Sequence, residues 1–319
     1  MCSKLTLDPT VEQMLKDYEQ DRIDKVQELL DHPENIPVFM DFKVDYAFKY
    51  ILGHKPILLK LINDILPVDV SDIEYLPSEI PVVSPKEKRS VFDVICTARH
   101  TDERFIVEMQ CVPDLDMDNR LLYYGCSLIH LQIERGAKTY DLKPVYVLCV
   151  ANYNREHDGN KNAGQFFFGY QFRELSQPKD ILSQNLQFFF LELPRLQKVW
   201  DKLETNAERW CYLFGNLNNF AKVPDNPAGF DAVFDLARTD ELDGSDLKKY
   251  LTSMLDEYTV YTTTEYARRE GYRKGAEEER IKAQAEKEAL LKSLLSLGTP
   301  IETLAQATGL TPEAIQALK

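Results

Sequence analysis

Apolar positions recur along this chain with two different periods, and each change of period marks an element. Over residues 41–66 the apolar positions Tyr46, Phe48, Ile51, Leu52, Leu58, Leu61, Ile62 and Ile65 suit a helix, a break at Gly53 and a second helix. Residues 91–96 and 104–110 are short runs rich in β-branched and aromatic side chains, separated by a polar stretch over 98–103. They predict a β-hairpin. Residues 143–151 are almost wholly apolar, as expected of a strand covered on both faces. Residues 165–172 and 187–193 add two aromatic-rich strands, and 71–83 alternates weakly enough to predict an edge strand. Between the hairpin and the covered strand, 119–135 is amphipathic, with Leu121, Leu122, Cys126, Ile129 and Ile133 set to pack on the sheet. Residues 11–30 predict a lead-in helix. Residues 194–220 predict a helical stretch in which Trp200 and Trp210 are core residues, and shorter helical patterns follow over 228–260.

Each strand of the predicted hairpin carries one acid, Asp93 on the first and Glu108 on the second. Residues two apart on a strand share a face, so Ile106, Glu108 and Gln110 point one way and Phe105, Val107 and Met109 the other. A carboxylate among apolar neighbours is costly unless a cation or donor compensates it. Two of them on paired strands make a candidate divalent-metal site, built from the hard oxygen ligands that magnesium prefers.

Composition narrows the picture only slightly. The 319 residues suffice for one large domain or two smaller ones, and the apolar and charged fractions, 44% and 28%, are those of an ordinary globular protein. A net charge of −14 argues against a broad nucleic-acid-binding surface, because phosphate contacts need local positive charge. A small basic site on an acidic body remains open, and Lys86, Lys88 and Arg89 stand just before Asp93. The six cysteines are scattered without CxxC spacing, so neither disulfides nor zinc are expected and a reducing cytoplasm is the expected setting. The first residues begin no long apolar run, and no stretch is long enough to span a membrane, so no leader and no membrane partner are expected.

The acidic run over 114–119 lacks the glycine and terminal glutamate of a calcium loop and reads as N-terminal capping of the next helix. Residues 262–291 are densely charged and read as a solvated helix or connector. Beyond it, Thr299 with Glu302 and Pro300 predict a capping box opening one short helix, and the stretch from Gly309 to Glu313 opens another. This tail reads as a small packing or homo-oligomerisation module, since its last helix offers too few polar residues to read DNA.

Asp93 followed by Glu-x-Gln at 108–110 resembles the core of the PD-(D/E)XK nuclease superfamily. More narrowly, the chain resembles the Rpn group of recombination-promoting nucleases, also labelled transposases. The matching residues run from Asp41-Phe42-Lys43-Val44-Asp45-Tyr46-Ala47-Phe48-Lys49, through Phe92-Asp93-Val94 and Ile106-Val107-Glu108-Met109-Gln110, to Arg120-Leu121-Leu122-Tyr123-Tyr124. Four matches in order are far more specific than the acids alone.

The resemblance implies an α/β fold: a restriction-endonuclease-like mixed sheet flanked by helices, with a mostly helical C-terminal extension. It implies a lead-in over 1–35, a nuclease-like domain over 36–225, a helical region and charged connector over 226–290, and a small helical tail over 291–319. It also implies metal-dependent hydrolysis of DNA phosphodiesters with little sequence specificity, using Mg²⁺ or Mn²⁺ held by Asp93 and Glu108. Asp45 on the first helix matches an acidic residue often found near the metal, although Asp45 and Lys49, four apart on one helical face, equally make a surface ion pair. Lys49, Arg120 and Tyr124 become candidate nucleic-acid contacts together with Lys88 and Arg89; for the tyrosine and Arg120, ordinary packing and an exposed arginine are the alternatives. Gln110 stands where most of the superfamily has a lysine. An amide can position a water molecule, but it can neither carry charge nor act as a base. That departure keeps two other classes open: a catalytically reduced relative that binds DNA or protein, and a structural scaffold.

Overall fold

The two periods resolve into an α/β architecture, a six-stranded mixed sheet flanked by helices. The computed structural model describes residues 9–79, 92–114, 116–133, 136, 138–155 and 164–317, without the side chains of 9–18 and of most of 257–290. It divides into two units, Met1–Thr259 and Val260–Lys319.

In the first unit, α1 (Pro9–Asp31) precedes α2 (Asp45–Leu52) and α3 (Lys55–Ile65), which meet at Gly53 as the sequence pattern requires. The strands β1 (Ile73–Tyr75), β2 (Val94–Ala98) and β3 (Arg104–Gln110) come next, then α4 (Met117–His130) and β4 (Val145–Ala151). The hairpin of β5 (Phe167–Arg173) and β6 (Ile181–Glu192) follows, then α5 (Asn206–Asn216), α6 (Asp231–Leu236) and α7 (Gly244–Ser296), which runs on into the second unit. The sheet order is β1-β2-β3-β4-β6-β5, with β3, β4 and β6 mutually parallel and the outer pairs antiparallel. A parallel β3–β4 pair needs a crossover, and α4 supplies it.

Every residue of β4 is buried, as its apolar run predicts. The alternation on β3 also holds. Phe105 and Val107 join the core formed with α2, α3, α5 and α6, where Phe48, Ile51, Trp210 and Phe214 are buried. Ile106 joins the opposite core with Leu121, Tyr124 and Leu128 of α4. The first core extends past residue 225, because Phe230, Phe234, Tyr250 and Leu251 are part of it. Trp200 and Trp210 are core residues in it, as their setting predicts.

The structure departs from the pattern in several places. The strand expected over 91–96 starts at Val94, so Asp93 lies in a bend just ahead of it. The edge strand shrinks to Ile73–Tyr75, and residues 80–91 lie outside the described residues. Helix α4 ends at His130 rather than at 135, and its buried stripe is Met117, Leu121, Tyr124, Gly125 and Leu128, leaving Leu122 and Cys126 exposed. The reason is a close approach: a Cβ on Gly125 would stand 2.6 Å from Leu186 Cδ1, so the helix meets β6 along its glycine edge. The acidic run caps nothing through a side chain; Asp116 is the N-cap residue without such a bond, and Asp114 accepts its amide instead. Of the stretch 194–220, only α5 is α-helical, the rest being short 3-10 turns joined by irregular chain.

In the second unit, α8 (Ile301–Thr308) and α9 (Pro312–Gln316) close with the end of α7 on Leu291, Leu304 and Ile315. The capping box expected at Thr299 does not form. The amides of Gly298 and Thr299 bond back to Leu295 and Leu294, a Schellman closure of α7 with Gly298 left-handed, so Pro300 becomes the next N-cap. Thr311 does cap α9, accepting the Ala314 amide. Among the described residues no helix is long and apolar enough to cross a membrane.

Candidate active site

The hairpin register carries the two acids together. Val94 pairs with Val107, so one step further out Asp93 stands opposite Glu108. Two crossed backbone bonds lock the arrangement. The Asp93 amide donates to Glu108 Oε1 at 3.2 Å, and the Met109 amide donates to Asp93 Oδ2 at 2.9 Å. Each carboxylate is therefore aimed by the other's strand, which a lone acidic residue on a surface loop would not be.

Electrostatically the pair is strained. Glu108 is 5% exposed, and burial, then the charge of Asp93, push its carboxyl up to about 8 against the pull of the Asp93 amide, Arg120 and Lys49. Asp93 is raised as well, first by burial and further by Asp45, against the Met109 amide and Lys49. Two acids that cannot both ionise comfortably favour a shared proton or a shared cation.

Helix α2 brings a cation to the rim. Lys49 Nζ stands 2.6 Å from Asp45 Oδ1 and 3.8 Å from Asp93 Oδ1, so it bridges the two aspartates. Burial would lower the Lys49 ammonium, yet its bond to Asp45 and the charges of Asp45, Asp93 and Glu108 raise it overall. Asp45 and Asp93 thus share Lys49 as a cation. Among the described residues no group of three or more His, Cys, Asp or Glu side chains gathers into a metal cage, so Asp45 does not complete one by direct contact.

From the other side, α4 brings Arg120 and Tyr124. Arg120 donates to Gln110 Oε1 at 2.6 Å, pairs with Asp114 at 3.0 Å and leaves its buried Nε without a hydrogen-bond partner. Gln110 donates in turn from Nε2 to the Val112 carbonyl at 2.9 Å. Both ends of the amide thus have partners, and Gln110 holds Arg120. The Tyr124 ring packs on Phe92 with centroids 4.6 Å apart, and burial followed by Glu108 raises its hydroxyl pKa. The structure thus brings together Asp93, Glu108, Lys49, Asp45, Gln110, Arg120 and Tyr124, while Lys86, Lys88 and Arg89 lie outside the described residues.

The donor set fits a hard divalent cation. Two carboxylates face each other in a half-dry corner, and no described cation reaches Glu108 within 4 Å, so a bound ion would relieve the repulsion that raises both.

A second polar cluster escaped the sequence pattern. Glu192 ends β6 fully buried, accepting the Arg155 amide and an ion pair from Arg195. Arg155 also pairs with Asp118 at 2.8 Å and stacks 3.7 Å over Phe190. The registers place Gln110, Ala151 and Glu192 side by side at the ends of three parallel strands. One signal was available: a lone glutamate closing the aromatic strand.

Comparison with known proteins gives the family. A family model described as PD-(D/E)XK nuclease family transposase matches residues 42–292, and the mixed sheet flanked by helices is the restriction-endonuclease-like fold expected of that superfamily. The chain matches no curated protein and no solved structure significantly.

Proposed function

The chain belongs to the PD-(D/E)XK nuclease family transposases, and from that premise we propose that it is a metal-dependent endonuclease that hydrolyses DNA phosphodiesters with little sequence preference. The observation that carries the proposal is the Asp93–Glu108 pair, a half-buried and a buried acid held against each other by crossed backbone bonds with, among the described residues, only Lys49 as a cation within 4 Å of either. Mg²⁺ is the proposed cofactor, with Mn²⁺ able to replace it; such an ion polarises the phosphate and makes water a better nucleophile.

The chain's own residues do the rest. Asp93 and Glu108 hold the cation, and their crossed bonds to the Met109 and Asp93 amides fix the direction in which they present it. Asp45 orients Lys49 by its ion pair. Gln110 holds Arg120, so the guanidinium stays beside the site, where it is available to a phosphate on exchange of its Asp114 partner. Tyr124 on Phe92 walls the pocket and keeps water from its apolar side. Lys88 and Arg89 would add phosphate contacts just upstream of Asp93. Action in the cytoplasm, a part in recombination or mobile-element activity, and self-association through the helical tail complete the reading.

A second reading is favoured by one observation. The amide of Gln110 bonds to Arg120 and Val112, so the position that usually carries a lysine would offer the reaction no charge and no base. A chain lacking that help would bind DNA without cutting it. A plasmid-nicking assay with Mg²⁺, Mn²⁺ or EDTA separates the two, comparing wild type with Asp93→Ala and Glu108→Ala. Metal-dependent nicking abolished by both substitutions supports the endonuclease. DNA binding by folded wild type with no nicking in either metal supports the binding protein.

A further inference from the structure

We propose that Lys49, delivered from α2, is the catalytic cation of this centre and takes over the role that Gln110 on β3 cannot fill. The inference rests on the endonuclease reading above. A neutral amide carries no charge, and here its oxygen is taken by Arg120 and its nitrogen by the Val112 carbonyl. Among the described residues the neighbouring cations are also spent. Arg120 pairs with Asp114, Arg155 pairs with Asp118 and stacks on Phe190, and Lys43 is tied to Asp41 and the Gly215 carbonyl. Among the described residues, Lys49 is the one lysine or arginine within 4 Å of Asp93.

Its placement is built rather than incidental. Helix α2 is anchored by Ala47, Phe48, Ile51 and Leu52, all buried, which fixes the backbone that carries Lys49. Asp45, one turn earlier on the same face, then holds the ammonium at 2.6 Å and points it over Asp93. The lysine side chain is 42% exposed, so an incoming phosphate can reach the ammonium from the solvent side.

In the reaction, the oxygen of water forms a bond to phosphorus and the bond from phosphorus to the leaving sugar oxygen breaks. The proton lost by the water passes to solvent, and the leaving sugar oxygen takes up a proton from solvent to become a hydroxyl. Lys49 keeps its own protons and donates a hydrogen bond to the phosphate oxygen on which charge accumulates, a contact stronger in the transition state than before it. A residue that only steers DNA would instead strengthen ground-state binding.

The test uses the full-length protein and its Lys49→Ala, Lys49→Arg and Lys49→Ala/Gln110→Lys variants. Three quantities are measured: Mn²⁺ affinity by calorimetry, duplex affinity in Ca²⁺, and single-turnover nicking in Mg²⁺. The expected result for Lys49→Ala is Mn²⁺ binding as tight as wild type or tighter, duplex affinity little changed, and nicking slower by about a hundredfold or more. Lys49→Arg recovers part of the rate, and the double variant recovers more than Lys49→Ala. Unchanged nicking in Lys49→Ala overturns the inference while leaving the nuclease reading intact. So does a loss of rate matched by an equal loss of Mn²⁺ or duplex affinity. Wild type that binds Mn²⁺ and duplex but never nicks overturns the nuclease reading, and the inference falls with it.

Discussion

Two glutamates in this molecule expose almost the same small fraction to solvent, Glu108 deep in the fold and Glu208 nearer its surface, and meet opposite fates. Glu108 is 5% exposed and Glu208 is 7% exposed. Burial by itself would raise the Glu208 carboxyl, but Lys198 at 2.6 Å and the Thr205 and Glu204 amides outweigh it and hold the group down at about 2. Glu208 is the third residue of a capping box, its carboxylate closing the start of α5 while Thr205 accepts its amide. Glu108 receives one backbone amide and faces another acid, so it is pushed up to about 8. The difference teaches that burial does not mark a site. Burial without matching counter-charge does, because the missing charge has to come from something that binds.

The sharpest way to break this comparison is cleavage. Glu108→Ala is expected to lower nicking by about a hundredfold or more, the scale of losing one essential charge-stabilising group. Glu208→Ala should leave the rate per folded molecule near wild type. Equal losses in both, measured on protein of matched circular dichroism, would remove the distinction.

Stability comes next, and here the signs are opposed. Glu208→Ala loses a cap and strands two amides, so it should destabilise by about 1–2 kcal/mol. Glu108→Gln or Asp93→Asn removes repulsion in the metal-free protein and should raise its melting temperature by a few degrees. A clear drop in melting temperature in EDTA for both of these variants would mean the acids are stabilised by a partner other than a cation.

A pH series in EDTA sharpens the same contrast. Glu108 has a folded value of about 8 against an ordinary 4.5, so the folded state holds its proton longer than the unfolded one. Its contribution is therefore greatest at low pH and declines as pH rises from 4.5 to about 8. Glu208, held at about 2, stabilises above 4.5 and loses that contribution as pH falls towards 2. Denaturant titrations should show the first slope vanish in Glu108→Gln and the second in Glu208→Gln.

The smallest effect concerns the support of Arg120. Gln110→Ala frees Arg120 from one of its partners without touching either acid, and nicking is expected to fall by about tenfold, the scale of losing a supporting hydrogen bond. A loss as large as that of Glu108→Ala would instead place the amide in direct contact with the reaction.

Much of this was legible in the chain. The strand periods around β2, β3 and β4 announced the sheet, and the two acids on neighbouring strands announced the centre, because side-chain direction in a strand follows from sequence spacing alone. The position of Asp93 one residue outside β2 was less legible, since the end of a strand depends on where pairing stops. The buried face of α4 was misread by about a quarter turn. Leu122 and Cys126 look like core residues, but the contact between Gly125 and Leu186 rotates Tyr124 and Leu128 inward. Lys49 was legible as a neighbour of Asp45, four residues away, but not as a neighbour of Asp93.

By itself the sequence determined the periodic elements, the covered central strand and the family, all of which rest on residue order and short-range geometry. Only the tertiary structure decided which charges meet. It placed Lys49 over Asp93, turned Gln110 to Arg120, gave Glu192 to Arg195 and Glu208 to Lys198, and among the described residues left Glu108 without an ion pair. The physical reason is that the period of apolar positions follows from short-range chain geometry, whereas the energy of a buried charge depends on partners distant in the chain, and those become neighbours only when the sheet and its helices close.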